Sequence, residues 1–305
     1  MKGIISAGGR GTRLYPLTKV MSKQLQPIYD KPMIFYPLSI LMLVGIKEVL
    51  IISTPEDSPH IEQLLGDGRE LGMKLSYEIQ EEPNGVAEAF KIGESFLGGE
   101  HSMLILGDNL FYGNFSSIVS AIEKQTNNLD ESTARIFAYK VNDPERFGVV
   151  EFDPKTKKVL SLEEKPINPK SYYAVPGIYI YDGSVCDKVK KMKPSPRGEL
   201  EITDLNLTYL KEGKLSCEIF GRGMAWLDSG TPESLLEAGN FVEIIEKRQG
   251  LKIACIEEIA LRKGFISYKG FIKLIHSRPK GPYRDYLESI KDEFFEVNKP
   301  NKKVA

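Results

Sequence analysis

Gly3-Ile4-Ile5-Ser6-Ala7-Gly8-Gly9-Arg10-Gly11-Thr12-Arg13-Leu14 is the stretch from which the fold can be read. A short apolar run passes straight into glycines that have no side chain to pack. Such a strand end lets backbone amides approach an anion closely. Ten residues on comes Ser22-Lys23-Gln24-Leu25-Gln26-Pro27. Arg13 and Lys23 are both charged at neutral pH, one a planar fork of donors and the other a mobile point charge. Two common loops are excluded. No Gly-Lys-Ser/Thr stands four residues after a first glycine, and Gly9-Arg10-Gly11 is followed by Thr12-Arg13-Leu14, which lacks the third glycine of a dinucleotide fingerprint. A dehydrogenase is therefore disfavoured. A tight turn with a surface arginine would account for the glycines alone.

Working outward, strands are expected at 2–6, 48–53, 75–80, 103–106 and 134–140. Helices are expected at 32–44, opened by Pro32, and at 59–65, 85–96 and 115–125. Short apolar strands alternating with helices predict an α/β, Rossmann-like, mostly parallel mixed sheet flanked by helices. Ligands in such sheets lie beyond the carboxyl ends of the strands, where residues 8–13, 80–85 and 108 fall. From about 142 the pattern turns β-rich. It reads as a hairpin over 147–153 and 159–164, a β run over 173–181, a helix over 201–211, and strands at 216–220 and 225–227. A long helix at 232–248 has Thr231 as N-cap and Pro232 at its first position. A short strand, a helical tail to about 292 and a frayed end over 298–305 complete the expectation.

The 305 residues are 41% hydrophobic and 27% charged, with a formal net charge of -1, an ordinary globular composition. No basic excess points to nucleic acid. Cys186, Cys217 and Cys255 are scattered and odd in number, which predicts reduced thiols in a cytoplasmic protein. No leader pattern opens the chain. The most apolar run, 33–46, is shorter than the ~20 residues of a membrane span.

Asp108 stands after Gly107 at the end of an apolar strand, and Asp228 repeats this after Trp226-Leu227. Two carboxylates brought together suit Mg2+, a hard cation held by one or two carboxylates plus substrate phosphates. The ion would neutralise charge and orient an α-phosphate for in-line attack. Equally, each aspartate could cap a following turn. His60, His101 and His276 are too dispersed for zinc, and no Ser/His/Asp or Cys/His set is present, so any attacking group belongs to the substrate.

The opening segment, Ser22-Lys23-Gln24-Leu25 and Tyr29-Asp30-Lys31-Pro32-Met33-Ile34-Phe35-Tyr36-Pro37 resemble the sugar-phosphate nucleotidylyltransferases, and more narrowly the glucose-1-phosphate thymidylyltransferase group. Leu106-Gly107-Asp108-Asn109, Asp143-Pro144-Glu145-Arg146-Phe147-Gly148, Ser161-Leu162-Glu163-Glu164-Lys165-Pro166, Gly198-Glu199-Leu200-Glu201-Ile202-Thr203-Asp204 and Gly221-Arg222-Gly223-Met224-Ala225-Trp226-Leu227-Asp228 agree with it. The likeness covers residues 1 to about 265. It implies thymidylyl transfer from dTTP to glucose 1-phosphate, giving dTDP-glucose and pyrophosphate, the first step of dTDP-L-rhamnose synthesis. It further implies that Gly8, Gly9, Gly11, Thr12 and Arg13 wrap the triphosphate, that Arg13 and Lys23 are catalytic, and that Gln80 and Gly85 read the base. Asp108 and Asp228 would carry Mg2+. Gly148, Glu164, Lys165, Val175, Tyr179 and Arg197 would hold the sugar phosphate. A catalytic domain over 1–240, with its sugar-binding part at about 142–230, would precede a helical region over 241–305 used for assembly and regulation.

Four departures stand out. Ser6 replaces a common leucine and is expected to change packing only; Phe147 replaces a tyrosine; Val86 replaces a leucine near the base; Pro176 follows Val175. The family implies a homotetramer inhibited by dTDP-L-rhamnose, with Tyr112, Gly113, Arg222, Lys252 and Glu258 in that second site. Lys252 and Glu258 read equally well as surface charge. UTP remains open as a substrate, because uracil differs from thymine by one methyl, worth only ~1–3 kcal/mol in a pocket. A homologue that binds sugar nucleotides without turnover is the rival of another class, and intact Arg13, Lys23, Asp108 and Asp228 argue against it.

Overall fold

The structure, a computed structural model, describes residues 1–297. The frayed end expected over 298–305 lies outside the described residues. Lys2–Ala7 is the central strand, parallel both to Glu48–Ser53 and to Ser102–Leu106, and Lys74–Ile79 extends the parallel side. Ile4, Leu50 and Leu104 pack with Ala87 and Phe90 in one core, while Ile5, Val49, Ile51 and Met103 pack with Leu38 and Leu41 in the other. Burial on both faces is why these strands read as continuous apolar runs.

The sheet then changes sense. Ile178–Tyr181 lies antiparallel between Ser102–Leu106 and Ala134–Lys140. Tyr173–Ala174, Gly148–Phe152 and Val159–Glu164 continue it antiparallel, and Leu215–Ile219 pairs parallel to Ala134–Lys140. The result is a mixed ten-stranded sheet flanked by helices. A separate ribbon pairs Asn109–Tyr112 antiparallel with Ala225–Asp228, placing Asn109 opposite Asp228.

The helix expected from Pro32 begins later, as Phe35–Leu43. Pro32 instead pairs with Pro27 in a small hairpin, held by buried Lys31, whose ammonium meets Asp30 and, at 2.9 Å, Glu246. The expected helix over 85–96 is broken into Val86–Glu88, Ala89–Ile92 and Glu94–Leu97. Gly93 sits at the break, where a Cβ would lie 3.0 Å from both the Ala89 carbonyl and Leu50. The strand expected after Gly250 does not form. Three helices follow, Ile256–Arg262, Tyr268–Ser277 and Pro282–Val297. Phe271, Ile275, Leu287 and Ile290 recur at helical spacing there and bury together against Cys255. The helix Pro232–Gln249 forms as expected, with Thr231 and Ser234 in a reciprocal cap, and it runs through residue 240 without interruption. The helix Val185–Lys191 and the strand Asn109–Tyr112 were not expected. All three cysteines are free. Among the described residues, no helix is long and apolar enough to cross a membrane.

Candidate active site

On the first side of the site, backbone shape dominates. Gly11 is left-handed at φ 59°, and a Cβ there would lie 2.9 Å from Thr18 and 3.1 Å from Lys23. Thr18 fixes the turn by donating to the Gly11 carbonyl at 3.0 Å. A Cβ on Gly8 would lie 2.2 Å from the Gln80 amide oxygen, so any side chain there would displace Gln80. Gly85 has φ 103°, and a Cβ would stand 2.5 Å from the Leu200 carbonyl oxygen. Thr12 and Arg13 form a short exposed turn after Gly11. Gly8, Gly9, Gln80 and Gly85 surround one cavity of about 200 Å³, shared with Ser6 and Val86.

The acids converge as the ribbon requires. Lys23 Nζ meets Asp108 Oδ2 at 2.5 Å, and Asn109 donates to Asp108 Oδ1 at 2.8 Å. Burial alone would push the Asp108 carboxyl up, but the Lys23 charge and these hydrogen bonds hold it below the usual carboxylate range. Ser229 donates its backbone N–H to the Asp108 carbonyl, and Asp228 Oδ1 accepts from Gly230 at 2.7 Å. A Cβ on Gly230 would lie 2.8 Å from Asp228 Oδ1 and 3.1 Å from Arg13 Nη2, so Arg13 reaches the same point. Asp108, Asp228 and Arg13 line one cavity of about 220 Å³ together with Gly148, Glu164, Lys165, Val175, Tyr179 and Arg197.

On that second side, charged side chains hold one another. Thr203 donates to Glu164 Oε2 at 2.6 Å, and the Arg197 and Lys165 cations each stand 3.6 Å from Glu164 Oε1. Arg197 is clamped by Glu201 through two bonds of 2.9 and 2.8 Å. The Gly148 carbonyl accepts from Val175, and a Cβ on Gly148 would crowd Thr203 and Glu164. Burial, then the nearby charges of Glu164 and Asp108, push the Tyr179 hydroxyl well up, so it stays a neutral donor. Phe147 stacks at an angle on Trp226 with centroids 5.0 Å apart.

Three participants carry no signal of their own in the sequence. Asn109 is a hub, accepting from the Trp226 indole at 2.5 Å and from the Gly177 N–H at 3.3 Å while it orients Asp108. Thr203 and Glu201 position Glu164 and Arg197. All lie inside recognisable motifs, but only their contacts reveal what they do. Among the described residues, no group of three or more His, Cys, Asp or Glu could by itself hold a metal. A cation here would rest on the two aspartates plus substrate oxygens.

The five residues expected at a second site fall into two groups. Gly113 packs on Gly223, beside exposed Arg222, and Tyr112 accepts from Gln249 at 2.6 Å. Lys252 is not a free surface charge, since it pairs with Asp30 and Glu246. Glu258 is 8% exposed, bound by Arg262 at 2.6 Å and by the Tyr286 hydroxyl at 2.5 Å. A roomier cavity, about 680 Å³, lies between Ser58–Leu65 and the C-terminal helices. Its Arg278, Glu257, Glu70 and Tyr283 satisfy one another, and it is lined by neither Asp108, Asp228 nor Arg13.

The nucleotidyl transferase family model matches residues 2–244. The chain belongs to this family. A glucose-1-phosphate thymidylyltransferase of Neisseria meningitidis is 52% identical over 288 residues, covering 94% of this chain and 98% of that protein. The enzyme of the same name from Mycobacterium tuberculosis is 48% identical over 295 residues, covering 94% and 98%. Among solved structures, a UDP-glucose pyrophosphorylase complexed with UDP-glucose superposes with TM-score 0.70 at 25% identity, covering 81% of this chain and 99% of that one. A Bacillus anthracis crystal structure in complex with a sucrose superposes with TM-score 0.72 at 41% identity, covering 79% and 94%. The matched span contains both cavities and both aspartates, and the protein is an enzyme of the nucleotidyl transferase type.

Proposed function

We propose that the protein transfers a thymidylyl group from dTTP to α-D-glucose 1-phosphate. The observation that carries this reading is that Asp108, Asp228 and Arg13 line one charge-lined cavity, with Lys23 bonded to Asp108, beside a glycine-walled one. Relatives named for this activity align over nearly the whole chain. A phosphate oxygen of the sugar phosphate attacks the α-phosphorus, a new P–O bond forms, and the bond to the β-phosphate oxygen breaks to release pyrophosphate. The attacking oxygen is already ionised, so no protein base is required. Positioning and charge neutralisation supply the rate.

Gly8, Gly9, Gly11 and Thr12 cradle the triphosphate, Arg13 neutralises the leaving pyrophosphate, and Lys23 reaches the reacting centre. Gln80 and Gly85 face the base. Glu164 accepts from a sugar hydroxyl, Tyr179 packs beside it, and Lys165 and Arg197 hold the sugar's phosphate. Asp108, kept ionised in the turn before Asn109–Tyr112, and Asp228, at the end of the strand paired with it, are hard oxygen donors lining one cavity, which fits Mg2+; when bound, the ion supplies charge neutralisation for the phosphates. Residues 1–240 form the catalytic part and 241–305 an assembly and regulatory part. We place a dTDP-L-rhamnose inhibitor near Tyr112, Gly113, Arg222, Lys252 and Glu258 of a homotetramer.

Use of UTP is the second reading, favoured by the likeness to a pyrophosphorylase solved with UDP-glucose. Pyrophosphate release with Mg2+ tests both, measured for dTTP, UTP, CTP, ATP and GTP against the 1-phosphates of glucose, glucosamine and mannose. The dTTP and glucose 1-phosphate pair should be fastest. Silence with that pair would sink the proposal, and a faster UTP reaction would replace it with the second.

A further inference from the structure

The central strand sends alternate side chains into two cores. Ile5 and Ala7 enter one; Ile4 enters the other, beside Leu50, Ala87 and Phe90. Ser6 is two residues beyond Ile4 and continues its stripe toward the turn Val86–Glu88. A packing stripe calls for hydrocarbon at that point, yet the chain carries a hydroxyl. Ser6 cannot turn away, because its backbone is fixed in register with Ile52 on one side and Leu106 on the other. It is half-buried and lines the same cavity of about 200 Å³ as Gln80, Gly85 and Val86. Its hydroxyl has no hydrogen-bond partner among the described residues.

Gln80 sharpens the point. Its amide nitrogen donates to the Gly85 carbonyl at 3.3 Å and to Glu88 Oε2 at 2.7 Å. An amide has two such protons, so both are committed within the protein. A pyrimidine ring held here brings carbonyl acceptors that Gln80 cannot serve. The Ser6 hydroxyl is the side-chain donor left over on the cavity wall.

We propose that Ser6 is a base-reading residue, its hydroxyl donating to a ring carbonyl of the pyrimidine held between Gln80 and Gly85. The inference rests on the reading of residues 80–85 as the base loop. It replaces the expectation that Ser6 changes packing only.

The test is steady-state kinetics of Ser6→Ala beside Gln80→Ala, with thermal unfolding as a check on folding. Ser6→Ala should raise the KM for dTTP about three- to tenfold, the size of one neutral hydrogen bond. Its kcat and its KM for glucose 1-phosphate should stay within about twofold of wild type. Because uracil carries the same carbonyls, UTP should suffer equally. With 2-thio-dTTP or 4-thio-dTTP, whichever replaces the contacted oxygen, the penalty should largely vanish. If Gln80→Ala raises the KM for dTTP and Ser6→Ala does not, the inference is overturned while the base loop stands. If neither variant moves it, the base-loop reading falls too. A penalty that persists in full with both thio analogues also overturns the hydrogen bond.

Discussion

The two walls of the cleft are built by opposite means. The wall that follows the parallel strands is made of backbone, with Gly8, Gly11 and Gly85 each excluding a side chain through a close contact or a positive φ. The wall that follows the antiparallel strands is made of side chains, with Glu164, Thr203, Arg197 and Glu201 holding one another. Backbone suits a phosphate chain, whose many oxygens need many donors at fixed spacing. Interlocked carboxylates and cations suit a sugar phosphate, whose hydroxyls and charge must be told apart. The difference predicts different modes of failure: strain on one wall, loss of a charge partner on the other.

The largest effect should come where the walls meet. Arg13→Ala should lower kcat by about 10²–10³, the cost of removing a donor aimed at developing charge, while the fold survives by circular dichroism. On the backbone wall, Gly85→Ala forces a Cβ onto Leu200 at a strained φ. It should cost ~1–3 kcal/mol in urea unfolding and weaken dTTP binding. On the side-chain wall, Glu201→Gln halves the clamp on Arg197 without moving the backbone. The KM for glucose 1-phosphate should rise about three- to tenfold with the KM for dTTP unchanged. A change of both together would show that the walls are not separable. The smallest effect belongs to Gly9, which has nothing within 4 Å of a built Cβ and no positive φ. Gly9→Ala should stay within ~0.5 kcal/mol of wild type in unfolding. A large loss of stability there would mean that the loop is tighter than its contacts indicate.

The parallel wall was the more legible of the two. Ile4-Ile5, residues 48–53 and 103–106 are buried on both faces, so the sequence itself carries the strand pattern, and the glycines mark where it ends. The cap of Pro232–Gln249 was equally plain in Thr231-Pro232. What escaped depends on distant partners. Pro32 looked like a helix start, but its pairing with Pro27 and the Lys31–Glu246 ion pair, 215 residues apart, claim it for a hairpin. Asn109–Tyr112 has no local alternation to mark it as a strand; only Ala225–Asp228 makes it one. Asn109 and Thr203 act through Trp226 and Glu164, 117 and 39 residues away, so composition and spacing could not assign them, whereas Glu201 stands four residues from Arg197, a spacing that could have suggested the pair. Lys252 and Glu258, legible as surface charge, proved to be paired and largely buried for the same reason.

The central claim is that Asp108 and Asp228 form one catalytic centre across the two walls. Turnover with dTTP, glucose 1-phosphate and Mg2+ should be measured for Asp108→Asn, Asp228→Asn and the double variant, each shown to be folded. Each single change is expected to remove most of the activity, and the double variant to be little worse than either, as for groups that act as a unit. Near-normal turnover in either single variant, or losses that simply multiply in the double, would contradict it.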